Sequence, residues 1–570
     1  MLATATESLA VLAADWLARF GAALDDEAAL RELFHAESHW RDVLALTWRI
    51  RTVSSREALV PELRRFAAAA RPARFELDPG RTPPREVTRA GKSCIEAIFR
   101  FETALGRASG VLRLLPGDQP KAWTLLTALE EIRGHEEATG RRRPTGQVYL
   151  RDFAAPGWLE RRSFSRDFTD REPAVLVVGG GQAGLSVAAR LTQLGVDTLV
   201  VDRWPRVGDN WRQRYDALTL HNQVHVNHLP YMPFPPSWPV YIPKDKLANW
   251  FESYAEAMEL NCWTGTEFEG GCYDEGEGRW SVTVRRADGS RRELHPRHVV
   301  LATGVSGIPN LPEIPALRHF GGKVIHSSEY QDGEPWRGKR VVVIGTGTSG
   351  HDIAQDLCSA GAHVTLVQRS PTLIIQCDPS GQLVYGLYSE GPPLEDCDLV
   401  TASVALPLAK KTHQLATAHA KSLDKPLLDA LERRGFRLTD GEEGTGWQFM
   451  YLTRGGGYYF NVGCSELIVQ GKIALAQFPE LETLLKDADL VVLATGYKGQ
   501  EALVEKLFGG EMAARVGPVW GFGADQELRN MFQRTPQPGL WFIAGSFAQC
   551  RIYSKYLALQ IKAAEIGVLP

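Results

Sequence analysis

The pattern G-x-G-x-x-G occurs twice in this chain, each time directly after an apolar run and directly before a helical pattern. The first copy is Gly179-Gly180-Gly181-Gln182-Ala183-Gly184, after Ala174 to Val178. The second is Gly345-Thr346-Gly347-Thr348-Ser349-Gly350, after Val341 to Ile344. A strand that turns through glycines into a helix commits the chain to a parallel β-α-β unit, with the helix N-terminus free to bind a pyrophosphate. The two units end differently. Asp202 stands 23 positions after Gly179, at the end of Thr198 to Val201. Gln368 stands 23 positions after Gly345, at the end of Val364 to Val367, and is followed by Arg369 and Ser370. A carboxylate at that place accepts hydrogen bonds from ribose hydroxyls and repels a 2′-phosphate, whereas Gln-Arg-Ser accommodates one. The first unit therefore suits FAD or NAD and the second NADPH. A chain that holds a flavin and NADPH moves hydride between them.

These units name the first candidate residues. Gly179, Gly181, Gln182, Ala183, Gly184, Asp202 and Arg203 belong to the flavin side. Gly345, Gly347, Ser349, Gly350, Arg369 and Ser370 belong to the NADPH side, with Arg369 suited to bidentate pairing with the 2′-phosphate. Two further apolar segments, His298 to Gly304 and Asp489 to Tyr497, both contain Ala-Thr-Gly and are expected to complete the first unit's sheet. That brings Thr303, Gly304, Thr495 and Gly496 to the cofactor, since small residues let a backbone approach it closely. The second unit lies between those segments, so the NADPH domain is expected as an insertion in the FAD domain. The expected architecture is α/β with two Rossmann-type domains: an FAD domain in two parts, 173–310 and 481–570, around an NADPH domain at 311–480. Residues 380–446 lack strand character and read as a helical insertion, either lining an access route or serving as a structural cap.

Residues 1–135 carry no dinucleotide signature. Glu7 to Phe20, Glu27 to Leu33 and Arg56 to Ala70 read as helices. His39 to Val53, Cys94 to Phe101, Ala108 to Leu115 and Ala122 to Ile132 read as strands. This element order resembles the cone-shaped α+β fold of nuclear transport factor 2 and the polyketide cyclases. Asp42, beside His39 and Trp40, is the one acid that could work in such a cone; the plainer expectation is a rim acid, in a unit that dimerises or caps a pocket. Residues 136–172, charged and broken by prolines, read as a linker wrapping onto the next domain.

Whole-chain numbers set limits. At 570 residues with a net charge of −4, the chain has room for several cores and no electrostatic footprint for nucleic acid or an anionic membrane. No apolar run approaches a membrane span, and the acidic first 30 residues are unlike a targeting peptide, so a cytoplasmic location is expected. The eight cysteines include no Cys-x-x-Cys pair, and no metal is expected.

Phe320-Gly321-Gly322-Lys323-Val324-Ile325-His326-Ser327-Ser328-Glu329-Tyr330 fits F-x-G-x-x-x-H-x-x-x-Y at every fixed position. It resembles the identifying sequence of flavin-containing monooxygenases; the related Baeyer–Villiger enzymes usually end in Trp. Gly350 to Leu357, Val367 to Ser370, the stretch from Asp202 to Trp211 and the closing segment Gly545 to Gln560 look similar too, so the resemblance spans residues 173–570. It is nearest to the branch of the indole-3-pyruvate monooxygenases. The resemblance implies that NADPH reduces FAD, that the reduced flavin takes up O₂ as a C4a-hydroperoxide kept from water, and that one oxygen atom enters a small organic substrate. It implies a structural role for His326 at the domain junction, with proton transfer as the alternative. In the family a Gly-Gly-x-Trp loop packs on the flavin; here it reads Gly208-Asp209-Asn210-Trp211, with Asp209 in place of the second glycine. Several members place an Asn near the flavin ring six residues after a Tyr. Counting from Tyr215 that position is His221, with Asn222 beside it, and both are candidates. Leu229 to Pro236, rich in proline, is expected to be a rigid loop covering the flavin.

Three chemistries stay open: N- or S-oxygenation, oxidative decarboxylation of a 2-oxo acid, and Baeyer–Villiger insertion, from which Tyr330 tilts away. A flavin disulfide reductase needs a redox cysteine pair that this sequence lacks. A nucleotide-sensing binding protein is the rival of another class, and turnover separates it from an enzyme.

Overall fold

The computed structural model describes residues 2–145 and 154–569; part of the expected linker, residues 146–153, lies outside them. The N-terminal region opens with helices Leu2–Ala23 and Glu27–Leu33, and a third, Arg56–Ala70, follows the first two strands. They accompany one seven-stranded sheet. Along its main path the strands run Ile50–Ser54, Phe34–Val43, Lys121–Ile132, Gly106–Leu115, Lys92–Glu102, Ala73–Leu77. The expected strand over His39 to Val53 is broken at Leu44–Arg49, where Leu44 and Trp48 take left-handed φ values of 71° and 54°. Asp42 causes this: its carboxylate accepts hydrogen bonds from the Leu46 and Thr47 amides and from the Thr47 and Thr127 hydroxyls. It is fully buried, neither on a rim nor facing an open cone, and burial pushes its pKa up to about 6.

The first parallel sheet is ordered Cys262–Trp263, Thr198–Val201, Val175–Val178, His298–Leu301, Leu540–Phe542. The second is ordered Lys323–His326, Leu490–Leu493, Arg340–Ile344, His363–Gln368, Ala474–Gln477. All pairs in both sheets are parallel, and their central strands are buried on both faces, which is why they read as unbroken apolar runs. One expectation is corrected here. Leu490–Leu493 is an inner strand of the second sheet, paired with both Lys323–His326 and Arg340–Ile344, and is not part of the first. A doubly buried strand has the same apolar pattern in either sheet, so the pattern did not tell them apart. The chain returns to the first sheet only after Tyr497–Lys498, which pairs with Ile308–Pro309.

The helical insertion contains Leu394–Ala402 and the long helix Leu406–Arg433. It sits against the N-terminal sheet as well as the nucleotide units. Arg41, from Phe34–Val43, forms a buried two-pronged pair with Glu527 at 2.9 and 2.7 Å and donates to the Ala402 carbonyl and the Tyr553 hydroxyl. Asp396 accepts from Arg81 and from the Thr82 amide and hydroxyl. Lys555 pairs with Glu130. The N-terminal unit and the first nucleotide unit share one continuous apolar core. No helix of the described residues is long and apolar enough to cross a membrane.

Candidate active site

Both fingerprints take the same backbone form. Gly179 and Gly345 have φ of 108° and 117°, values that strain any residue with a side chain. A Cβ on them would stand 2.7 Å from the Ala302 carbonyl oxygen and 2.3 Å from that of Ala494. A Cβ on Gly184 or Gly350 would stand 1.9 or 2.0 Å from the carbonyl oxygen of Gly179 or Gly345. The glycines thus let helices Gln182–Gln193 and Thr348–Ser359 start hard against their strands, with their N-terminal amides open. The two Ala-Thr-Gly segments are equivalent by position: 302–304 flanks the first fingerprint and 494–496 the second. Thr495 and Gly496 therefore stand at the second fingerprint, contrary to their expected place in the FAD sheet.

At the first fingerprint Asp202 accepts from the Gly180 amide at 2.6 Å and the Trp204 amide at 2.9 Å, and burial raises its pKa. Arg203 is exposed, 5.3 Å from the Trp204 ring. Gln182 donates to the Gly545 carbonyl at 3.3 Å. Three buried polar atoms of neighbouring residues have no partner among the described residues: Asn210 Oδ1, Trp211 Nε1 and Thr303 Oγ1. Buried atoms without partners at a glycine cradle fit a bound dinucleotide with polar edges. Asp209 turns inward and accepts from the Arg206 amide and the Arg212 guanidinium, so the departure from Gly-Gly-x-Trp ties the turn together. In the following loop Phe234 stacks on Trp238 at 4.8 Å.

At the second fingerprint Gln368 is fully buried and exchanges two 2.9 Å hydrogen bonds with the Arg437 backbone. It does not reach outward. Arg369 and Ser370 are exposed and border the cavity, together with Gly345, Gly347, Ser349 and Gly350. The Thr495 hydroxyl donates to the Asn310 carbonyl, and Gly496 has φ 78°.

One cavity of about 1390 Å³ reaches from the second fingerprint to Gln182 and Trp211 beside the first. Its lining includes the second fingerprint, Gln182, Trp211, Gly545, Ser546, His221 and Asn222. His221 stacks on Phe460 at 4.3 Å, and burial pushes its pKa down to about 4, so the ring is neutral at physiological pH. Asn222 donates to the Tyr385 hydroxyl at 3.1 Å, and its buried Oδ1 has no partner among the described residues. His326 is apart from this group and outside the cavity lining. Its Nε2 donates to the Gly496 carbonyl at 3.1 Å and its Nδ1 accepts from Ser328, so both nitrogens are engaged. Burial also lowers its pKa.

Sequence reasoning passed over the opposite wall. Helix Gly446–Arg454 presents Trp447, Tyr451 and Arg454 to the cavity at i, i+4, i+7 spacing, and Tyr458 and Phe460 follow from strand Tyr458–Asn461. The run Arg454-Gly455-Gly456-Gly457 was the available signal; it ends beside Tyr458, whose carbonyl lies 3.8 Å from a Cβ built on Gly347.

A model of the pyridine nucleotide-disulphide oxidoreductase family matches residues 176–385. Indole-3-pyruvate monooxygenase YUCCA1 of Oryza sativa subsp. japonica is 30% identical over 344 residues, 54% of this chain and 83% of that protein. Probable indole-3-pyruvate monooxygenase YUCCA9 of Arabidopsis thaliana is 30% identical over 377 residues, 64% and 81% of the two chains. The chain belongs to the flavin-dependent monooxygenase family. A flavin-containing monooxygenase from Stenotrophomonas maltophilia aligns with a TM-score of 0.44 at 18% identity, over 69% of this chain and 98% of that one. The present chain is a monooxygenase that uses FAD and NADPH to insert oxygen. Its eight cysteines are free thiols, unlike the redox pair that a disulfide reductase requires.

Proposed function

We propose that this monooxygenase acts on a 2-oxo acid by oxidative decarboxylation: R–CO–COOH, O₂ and two reducing equivalents from NADPH give R–COOH, CO₂ and water. The observation that carries the reading is the single cavity of about 1390 Å³ bordered by both nucleotide units and by an aromatic wall. It exceeds the roughly 300–1,000 Å³ of a pocket for one small ligand, so there is room for substrate beside dinucleotide. The relatives' names supply the substrate class.

The first fingerprint with Gln182, Ala183, Asp202, Arg203, Trp211, Thr303 and Gly304 is assigned to FAD. The second, with Ser349, Arg369, Ser370, Thr495 and Gly496, is assigned to NADPH. Bound flavin, once reduced, supplies the electrons that activate O₂. The protein's part is to orient and to exclude water. Asn222 offers an unpartnered amide oxygen, and neutral His221 adds no charge to the cavity. His326 is assigned a structural seat, because its two nitrogens hold the Gly496 carbonyl and Ser328. The N-terminal unit, assigned to the cone-shaped class, clasps the insertion onto the flavin domain through Arg41, Arg81 and Lys555.

The test is turnover by the purified, flavin-loaded protein. NADPH should be oxidised much faster than NADH with O₂ consumed, and 2-oxo acids should give the shortened acid with little hydrogen peroxide. Product from aryl sulfides or amines alone would move the assignment to heteroatom oxygenation. A protein that takes up no flavin and oxidises no NADPH would defeat the enzyme reading altogether.

A further inference from the structure

The insertion contributes its own polar group to the cavity. Tyr385 lies on the 3-10 segment Ser380–Ser389 and borders the cavity beside Asn222. Its hydroxyl oxygen accepts the Asn222 amide hydrogen at 3.1 Å, and among the described residues none accepts the hydroxyl's own proton. The ring packs against Trp447 at 6.0 Å, and Trp447 lies 4.8 Å from Phe460, which stacks on His221. Trp447 Nε1 is buried without a partner among the described residues. One phenol, held from behind by an amide, therefore has a free donor in an aromatic compartment. Burial raises the phenol's pKa well above its ordinary value, so the proton stays on across the physiological range.

Resting on the 2-oxo acid reading, we propose that the Tyr385 O–H, oriented by Asn222, donates to the 2-oxo carbonyl oxygen of an aryl-bearing substrate, whose ring lies against Trp447 and Phe460. Tyr385 is then a specificity-determining residue of this chain. A fixed donor rewards a carbonyl and leaves a methylene at the same place without a partner. Orientation by Asn222 matters because a phenolic hydroxyl rotates freely unless its acceptor side is fixed.

The experiment uses flavin-loaded enzyme and two probes that differ only in the carbonyl, phenylpyruvate and 3-phenylpropanoate. Binding is read from perturbation of the flavin absorbance. The wild type should bind phenylpyruvate about tenfold more tightly, and Tyr385→Phe should bring the two affinities to within about twofold. A purely structural role for Tyr385 would weaken both probes together and leave their ratio intact, which overturns the proposal. So does a wild type that binds the two equally. Should Tyr385→Phe lose flavin, Asn222→Ala takes its place, and there the ratio must fall at least threefold. Turnover of phenylpyruvate is scored separately. Its failure with the binding ratio intact counts against the 2-oxo acid reaction, while a flat ratio in a turning-over enzyme counts against Tyr385.

Discussion

The two nucleotide units share a backbone and differ in how they use one side chain. In the first, Asp202 at the strand end faces its own glycine loop and accepts from Gly180 and Trp204, while the Thr303 hydroxyl has no partner among the described residues. In the second, the matching Gln368 is buried and clamps the Arg437 backbone, and the Thr495 hydroxyl is taken by Asn310. The residue that borders the cavity is the next one, exposed Arg369. The difference separates two tasks. Glycines fix where a dinucleotide can lie, and their spacing must be kept. On the proposed assignment, selectivity is read at the strand end, one position later in the second unit because Gln368 is recruited to hold a neighbouring segment.

Steric overlap should produce the largest effects. Gly184→Ala and Gly350→Ala each place a methyl about 2 Å from a carbonyl oxygen in the tightest part of the unit. Such a clash cannot be relieved by a rotamer change and costs more than about 3 kcal/mol, a factor of at least about a hundred in binding. Gly184→Ala should yield protein without flavin. Gly350→Ala should keep its flavin but reduce it with NADPH at least about a hundredfold more slowly. Flavin released on denaturation and the rate of flavin bleaching by NADPH measure the two. Loss of flavin from both variants would show that the units do not fold independently.

Selectivity changes should be smaller. Arg369→Ala removes a charge-assisted contact of about 1.5–3 kcal/mol. The kcat/KM ratio of NADPH to NADH should fall about 10- to 100-fold, through NADPH alone. Asp202→Asn keeps one acceptor and should weaken FAD about tenfold, measured by apoprotein titration, with the NADPH/NADH ratio unmoved. Gln368→Ala tests the shift by one position. It should loosen the Arg437 segment and weaken NADPH and NADH alike; a selective loss of NADPH would return the reading role to Gln368.

How much of this was legible in sequence follows from the range of each interaction. The fingerprints, their strands and the Asp202/Gln368 contrast are local, set by glycine geometry and by chain within about 25 positions, and they are plain in the sequence. The assignment of Leu490–Leu493 was not, because strand order in a parallel sheet is decided by partners far apart in sequence. Asp42 shows the same limit. Its place beside His39 and Trp40 in a cone-like element order suggested a site, whereas Thr127, 85 positions away, and the amides of Leu46 and Thr47 make it the lock of a turn. The aromatic wall was hidden because Tyr385, Trp447 and Phe460 come from different elements, and each alone reads as an ordinary core residue. Asn222, bonded to Tyr385, and His221, stacked on Phe460, link that wall to residues already singled out.

The smallest expected effect lies at the seam between the units. Seven positions after the first glycine the first unit has Ser186, fully buried, and the second has Asp352, which borders the cavity and accepts from the Tyr215 hydroxyl of the first unit at 2.5 Å. Burial outweighs that hydrogen bond and the nearby Arg214 and pushes the Asp352 pKa up to about 6 from an ordinary 3.8. The folded protein therefore holds this proton more tightly than the unfolded chain between about pH 4 and 6. The stability it contributes is complete below that window and is lost as pH rises through 6. Asp352→Asn keeps an oxygen acceptor for Tyr215 and has no charge to bury. Wild type should lose about 2 °C more in Tm than Asp352→Asn between pH 5 and 7.5. Asp42, raised to a similar pKa, is present in both proteins and cancels from that difference. Parallel Tm curves would mean that the seam opens enough for Asp352 to ionise without cost, and that the two nucleotide units are coupled less closely than the Tyr215–Asp352 bond indicates.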